Sequence, residues 1–538
     1  MNIEEENIDF GESMMGYHKL FEFVVGYVSS SIQKEKAETN KYEISDLIKM
    51  LRDMTKLNKI TSRLRIKYLM VDEFQDTDEV QVNFIAWIVD KLRANLFVVG
   101  DIKQSIYRFR GADYTAFSQL KDSIDSSLYE KNITKNYRST AQVLNPLNKL
   151  FAKLSEEVNN FGFDENSILQ PTKLDEVAQG FKIIPMKDDC SRYVKAKQIY
   201  NEHIKEGSIC LMVRTNSEVK EAVRVLEDMG VPTIAELKGD FYRQPAIRDF
   251  YLLLRCMIHT ERYEEVILLE QSVYGSRTIK HNEVLAKYEE ETSHARLILQ
   301  ESLWYKDFVT RASKAQKALP LKIISEIINE SKPNLKFARQ YYRELNNNSE
   351  DKEEILKIAQ FKGMEYEANL NHLLYLIQKE FTDQTITLSS LEEFIKFKIT
   401  SDTTENRIHL KADESLYALR IMTVHKSKGL EFETVIIPFT NKNKFSNYKR
   451  DQFVISKKDD IKYKLGYKIH PKDGKEEVSN EYFGELMRDE HQEIIGEETR
   501  LLYVACTRAK SQLYTLIDEI ASENRSINSW QDLLIRGK

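Results

Sequence analysis

An α/β fold with parallel sheets, interrupted by a mostly helical insertion, is the class that this sequence predicts, and three observations predict it. Short apolar runs end abruptly in acidic motifs: Tyr68-Leu69-Met70-Val71 runs into Asp72-Glu73-Phe74-Gln75-Asp76-Thr77, and Leu96-Phe97-Val98-Val99 into Gly100-Asp101. Segments with helical spacing alternate with these runs, as in parallel sheets whose strands are joined by crossover helices. Between residues 259 and 416 the strand signals give way to long charged segments with helical spacing, and strand chemistry then returns. At 538 residues the chain is long enough for several domains, because single cores stop growing near roughly 250–300 residues.

Taken in order, a buried strand is expected over Arg65–Asp72. A helix follows over Glu79–Lys91, with Val80, Phe84, Ile85 and Ile88 at helical spacing. Leu96–Val99 is a second short strand. Phe181–Pro185 and Ile209–Val213 read as strands of a second α/β region, with helices at about 191–205 and 217–229. Asn346-Asn347-Asn348-Ser349 is a polar break in the helical insertion, and Ala418–Val424 and Thr434–Ile437 resume the sheet. In such sheets ligands gather at the carboxyl ends of the strands, which is where both acidic motifs fall.

Composition excludes several classes. A hydrophobic content of 41% with 9 prolines fits a globular chain rather than a disordered one. No apolar run approaches the ~18–20 residues needed to span a bilayer. The opening Met1-Asn2-Ile3-Glu4-Glu5-Glu6 is acidic, the opposite of a signal peptide. A cytoplasmic protein without a membrane partner is therefore expected. Cys190, Cys210, Cys256 and Cys506 lack C-x-x-C spacing, and the histidines offer no pair at metal spacing, which argues against zinc, an iron–sulfur cluster or a disulfide framework. A net charge of −6 does not announce a nucleic-acid binder, although phosphate tracking needs only a local basic groove.

Five strings carry chemistry. Asp72-Glu73 after an apolar strand is the Walker B arrangement: the first carboxylate suits magnesium held through water, the second an attacking water. Alone, the pair would equally suit a helix cap or a surface. Gln104 sits past a strand end in Gly-Asp-x-x-Gln, where an amide can sense a γ-phosphate. Tyr107, Phe109 and Arg110 add two aromatics and a guanidinium; base stacking on aromatics contributes roughly 1–3 kcal/mol per base whatever the sequence, and packing of such a pair in a core is the plain alternative.

Asn136-Tyr137-Arg138-Ser139 precedes a helix, with Ser139 or Thr140 as N-cap. Tyr137 suits stacking on adenine and Arg138 a phosphate; a structural pair is the alternative. Thr423-Val424-His425-Lys426-Ser427-Lys428-Gly429-Leu430-Glu431-Phe432 offers N–H groups and ammonium charge to a phosphate backbone, and Glu431 suits a ribose hydroxyl. Glu497 to Lys510 has helical character. There Arg508 suits an arginine finger, which raises turnover by ~10³–10⁵, or simply a basic helix end.

In this order, the strings resemble the UvrD/Rep/PcrA group of superfamily 1 DNA helicases. DEFQDT is similar to that group's motif II, GDIKQSIYRFRGA to motif III, NYRST to motif IV, TVHKSKGLEF to motif V and ETRLLYVACTRAK to motif VI. Phe241–Asp249 resembles the helix start that lies between motifs IV and V. The resemblance runs from about residue 45 to 520 and is weakest across 259–416. The KQSIYRFR wording, and the stretch from Asn441 through Gly466 to Arg488, resemble the AddA/RecB branch most closely.

The resemblance implies RecA-like motor domains that use ATP and Mg2+ on single-stranded DNA in a 3′→5′ helicase or translocase, with DNA repair as a setting. It implies four parts: 1–130, a truncated first RecA-like domain with motifs II and III; 131–258, the first part of the second, with motif IV; 259–416, the helical insertion that forms a mobile subdomain; and 417–538, the second part, with motifs V and VI. It implies that Asp72 holds the metal and Glu73 activates water. Gln104, Arg138 and Arg508 contact the γ-phosphate, Tyr137 stacks on adenine and Glu431 binds ribose. Tyr107, Phe109, Arg110, Thr423, His425 and Lys428 face single-stranded DNA or couple it to the ATP site.

One departure is large. No Gly-x-x-x-x-Gly-Lys-Ser/Thr phosphate loop occurs in the sequence, and Gly11-Glu12-Ser13-Met14-Met15-Gly16 has no usable lysine. Two expectations follow. In the first, the chain is a fragment or split subunit of a helicase whose phosphate loop lies on another protein chain; no nuclease domain is expected after motif VI, so a partner would supply one. In the second, it is a non-hydrolysing module that binds single-stranded DNA or a partner. Lys442, Lys444, Phe445, Tyr448, Lys449 and Arg450 mix basic and aromatic residues as a strand-binding surface would, or form a solvated loop.

Overall fold

The computed structural model describes residues 8–9, 23–43, 46–48, 50–51, 53, 65–124, 129–173, 180–235, 241–279, 299–317, 320–346, 352–382, 386–401, 405, 418–442, 445, 452–457, 463–469, 478–519 and 526–538. Along the chain, β1 (Ile8–Asp9) and α1 (Ser29–Thr39) precede β2 (Tyr68–Val71), α2 (Glu79–Leu92), β3 (Asn95–Val98) and α3 (Ala116–Ser123). Next come β4 (Lys135–Thr140), α4 (Ala141–Glu157), β5 (Gln170–Lys173), β6 (Gly180–Met186), α5 (Asp189–His203), β7 (Ile209–Val213), α6 (Asn216–Asp228) and β8 (Thr233–Ala235). The helical stretch contains α7 (Pro245–Ile258), α8 (Tyr263–Gln271), α9 (Leu303–Lys317), α10 (Pro320–Ser331), α11 (Pro333–Asn346), α12 (Lys352–Glu380) and α13 (Leu388–Thr400). Last are β9 (Leu419–Thr423), β10 (Phe432–Ile437), β11 (Gln452–Lys457), β12 (Tyr463–Ile469), β13 (Val478–Ser479), α14 (Phe483–Cys506), β14 (Ala509–Asp518) and α15 (Trp530–Gly537).

The chain divides into two compact units, one made of Met1–Arg192 with Ser427–Lys538 and the other of Tyr193–Lys426. In the first, β2 and β3 pair in parallel with Tyr68 opposite Asn95. Their alternation sends Leu69, Val71, Leu96 and Val98 onto a small core of Phe74, Val82, Ile85, Ala116 and Leu120, where Phe74 meets Phe117 edge-on at 4.8 Å. Helix α2 starts where the capping rules place it: Asp78 accepts from the Gln81 N–H while Gln81 reaches back to the Asp78 N–H.

In the same unit β6, β14 and β10 pair in parallel, with Leu513 of β14 between Phe181 and Val435. The continuous burial of β14 over residues 512–516 suits a central strand covered on both faces, and α4 turns Leu144, Leu147, Phe151 and Leu154 inward. An antiparallel pair, β11 with β12, carries β13 and a parallel β1; nothing in the sequence reading anticipated these strands.

The second unit holds β7, β9 and β8, again parallel, with Leu211 opposite Ile421 and Ile234 opposite Arg420. Helices α7 to α13 share one core, including Phe250, Leu254, Met257, Phe308, Ile324, Leu370, Leu373 and Leu391. The expected α/β class therefore holds, with the helix-rich part following the second α/β region. Boundaries moved by a few residues: the strand expected from Arg65 begins at Tyr68, and that expected to reach Val424 stops at Thr423. Of the polar break, Asn346 ends α11 and residues 347–349 lie outside the described residues.

Candidate nucleotide site and strand-facing turn

The ends of β2 and β3 are stitched together by one buried side chain. Gln75 accepts the Asp101 N–H at 2.9 Å, donates to Glu73 Oε2 at 2.5 Å, and its carbonyl accepts the Ser105 hydroxyl at 3.1 Å. Gly100 makes this approach possible, because a Cβ there would lie 2.4 Å from Gln75 Oε1 and 3.1 Å from the Phe74 nitrogen. Glu73 itself sits at φ 50° and ψ 40°, a left-handed conformation that costs a non-glycine residue roughly 1–2 kcal/mol. Such strain persists where surrounding contacts over-determine it, often at functional positions. Asp72 accepts the Glu73 N–H through Oδ1 at 2.9 Å, and the residue is exposed.

Motifs from distant parts of the sequence converge on this corner, all within one unit. Gln104 donates to Asp101 Oδ2 at 2.9 Å and accepts from Arg508 Nη2 at 3.4 Å. Arg508 is buried, yet among the described residues every acceptor it reaches is neutral: the carbonyls of Val504 and Leu430 and the Thr507 hydroxyl, besides Gln104. Burial, followed by the like charge of Arg138, pushes the Arg508 pKa down to about 10, so the guanidinium remains protonated at neutral pH. Arg138 gives Nε to Glu431 at 2.9 Å and Nη1 to the Thr507 carbonyl at 3.2 Å. Lys510 reaches the other Glu431 oxygen at 2.8 Å. Hydrogen bonds from Lys510 and then Arg138 hold the Glu431 carboxyl below its ordinary range. The ring of Tyr137, on the same strand as Arg138, is 68% exposed.

Lys428 closes the constellation. Its buried ammonium donates to both Asp76 oxygens, at 2.7 and 2.6 Å, and to the Gln104 carbonyl at 3.1 Å, and lies 3.8 Å from Glu73. Burial outweighs this partner and raises the Asp76 pKa. Ser139 and Thr140 do not cap helix α4 as expected. Thr140 occupies the N-cap position without a side-chain cap bond, and the Ser139 hydroxyl instead donates to the Ala509 carbonyl at 2.6 Å, fastening β4 to β14.

A family model of the UvrD-like helicase C-terminal domain matches residues 132–519, and one of the UvrD/REP helicase N-terminal domain matches residues 3–125. The chain belongs to the UvrD-like helicase family. Curated relatives, each named as the A subunit of an ATP-dependent helicase/nuclease, point to one branch of it. That of Staphylococcus haemolyticus is 26% identical over 84% of this chain and 39% of its own length. That of Alkaliphilus oremlandii is 25% identical over 87% and 41%, and that of Exiguobacterium sibiricum 25% identical over 98% and 47%. The chain thus spans less than half the length of these relatives.

In this UvrD-like chain the motif III turn presents a second surface. Phe109 is 66% exposed and meets Tyr107 edge-on at 6.0 Å, while the Arg110 guanidinium covers both rings at 5.4 and 4.9 Å. Gly111, at φ 94°, ends the turn. Lys428 lies 5.0 Å over the Tyr107 ring, so its ammonium joins turn to carboxylates. Thr423 and His425, buried and half-buried, close β9 in the other unit.

The basic-aromatic run at 442–450 is not a single open surface. Lys442 pairs with Asp189 at 2.8 Å and lies over Phe439 at 4.0 Å, and Phe445 is buried. Lys444 and residues 448–450 lie outside the described residues. Sequence reasoning missed Gln75, Asp76 and Ser105 as individual contributors. A glutamine and an aspartate inside an otherwise recognised string were the available signal.

Proposed function

We propose that this chain forms most of the motor of an ATP-dependent 3′→5′ DNA helicase or translocase acting on single-stranded DNA, working with a phosphate-loop segment that these 538 residues do not contain. The observation that carries the reading is Arg508: a buried guanidinium given only neutral acceptors among the described residues is costly, and an anion arriving beside Gln104 would offset that cost. Asp72 would hold magnesium through water, and the ion would supply charge to the phosphates. Glu73 would orient the attacking water. Gln104, Arg138 and Arg508 would meet the γ-phosphate, Tyr137 the adenine and Glu431 the ribose. In this reading 1–130 is the first RecA-like domain, 131–258 with 417–538 the second, and 259–416 the helical insertion. The cytoplasm would be the setting for such work on DNA.

The β2–β3 pair supports the missing-segment part of the proposal. Parallel sheets are ordinarily covered on both faces, yet Tyr68, Met70 and Phe97 are 66%, 73% and 61% exposed on the face opposite the small core. A strand and helix bearing a phosphate loop would cover that face beside Asp72. A second reading, a non-hydrolysing single-strand binder, is favoured by the Phe109 platform, which needs no nucleotide to form.

Hydrolysis separates the two. DNA-stimulated ATP turnover should be negligible for the purified chain, appear on adding a recombinant loop-bearing segment of the Staphylococcus haemolyticus relative, and vanish again in Glu73→Gln. Single-strand binding without turnover under any complementation would leave the second reading standing.

A further inference from the structure

Helix α14 ends two residues before Arg508 and lies against the turn that carries Phe109. Glu490 takes both terminal nitrogens of Arg108, at 3.0 and 2.5 Å. One helical turn on, Glu493 accepts from the Asn160 amide at 2.6 Å and from the Tyr114 hydroxyl at 3.5 Å. Further along, buried Arg500 donates Nε to the Ser105 carbonyl at 2.9 Å and Nη1 to the Asn160 carbonyl, with its guanidinium 4.9 Å over the Tyr114 ring. Residues 490, 493 and 500 fall on one face of the helix. Arg108 thus faces α14, while its neighbours Phe109 and Arg110 are exposed.

We infer that Arg108, Glu490 and Arg500 are positioning residues that fix the Phe109–Arg110 platform to the helix leading into Arg508. One rigid element then joins the base-stacking surface to the phosphate contact. The inference rests on the reading of Phe109 as a base platform. A three-residue 3₁₀ turn has poor hydrogen-bond geometry of its own, and exposed side chains lose conformational freedom when ordered. The Arg108–Glu490 fork supplies the missing orientation: two parallel bonds fix direction as well as distance. An ordinary surface pair contributes little, but here the side chains are only 33% and 23% exposed. Glu490 also holds the Arg108 pKa above its usual value.

The test uses the whole chain and an oligothymidylate carrying one 2-aminopurine, whose fluorescence is quenched on stacking. Arg108→Glu and Glu490→Arg should each weaken binding by about fivefold and reduce the quenching, and the double exchange should restore both to within about twofold. Melting temperatures should stay within about 2 °C. These partly exposed residues are the probe because truncating buried Arg500 strips two carbonyls of their donor and risks unfolding. Loss of affinity in Phe109→Ala, with none in the Arg108 and Glu490 variants, would overturn the inference alone. Parallel loss of melting temperature and affinity, with quenching unchanged, would reduce the pair to general stability and also overturn it. No effect of Phe109→Ala would overturn the platform reading, and the inference with it.

Discussion

Replacing Lys428 with methionine isolates the charge that ties motif V to motifs II and III. The methionine keeps most of the apolar stem but removes two charge-assisted bonds to Asp76, at 2.7 and 2.6 Å, and one to the Gln104 carbonyl at 3.1 Å. The side chains of the pair are 8% and 24% exposed, so solvent screens the Asp76 charge only in part. Breaking a buried pair costs about 3–5 kcal/mol; with Asp76 partly wet, about 2–4 kcal/mol is expected at pH 8. The sign with pH follows from Asp76. Its folded pKa is already raised by burial, and Lys428 opposes that rise. Without the lysine it rises further, so the cost is full above the shifted pKa and shrinks as pH falls toward the ordinary carboxylate value. Urea unfolding followed by Trp87 and Trp530 fluorescence, with Trp304 replaced by Phe to silence the helical unit, reads the unit that holds the pair. Lys428→Met with Asp76→Asn should recover at least half the loss. A single variant within about 0.5 kcal/mol of the parent at pH 8, or an equal loss at pH 4 and pH 8, would refute the reasoning.

Three further outcomes are expected. Asp249 lies half-buried in the helical unit, accepting from the Tyr366 hydroxyl at 3.1 Å, and desolvation lifts its pKa from 3.8 to about 6. Its ionised form therefore costs stability that appears as pH rises through that window, so Asp249→Asn should be more stable by up to about 3 kcal/mol at pH 8 and no different near pH 3.5; parallel pH profiles would contradict this. Phe109→Ala should weaken single-strand binding by about 1–3 kcal/mol regardless of base sequence, measured by anisotropy at fixed salt. Gly100→Ala should destabilise the first unit by about 2–3 kcal/mol, because its Cβ would press on Gln75 and on the Phe74 backbone; an unchanged melting temperature would show that the strand ends yield easily.

The parts of this site that were legible in the sequence are those written in contiguous strings. Asp72-Glu73 and Gln104 follow apolar runs, Arg508 follows a helix and Arg138 precedes one, and the structure gathers Gln104, Arg138 and Arg508 with Glu431. The contacts that hold them were not legible, because they join residues hundreds of positions apart: Lys428 with Asp76, Arg500 with Ser105, Ser139 with Ala509. Nothing in local spacing marks such partners. The run Tyr68–Val71 suggested a buried strand, and only the three-dimensional arrangement leaves Tyr68 and Met70 outward. The antiparallel pair β11–β12 escaped because Asp459-Asp460 and the surrounding lysines mask its short apolar stretches.

The central claim is that Arg508 waits for the γ-phosphate of a nucleotide completed by another segment. Single-strand-stimulated ATP turnover of Arg508→Ala, measured after complementation with the loop-bearing segment, tests it most directly. The account predicts a fall of about 10³–10⁵ with single-strand affinity kept within about twofold. Turnover within about tenfold of the parent, or robust hydrolysis by the uncomplemented chain, would contradict it.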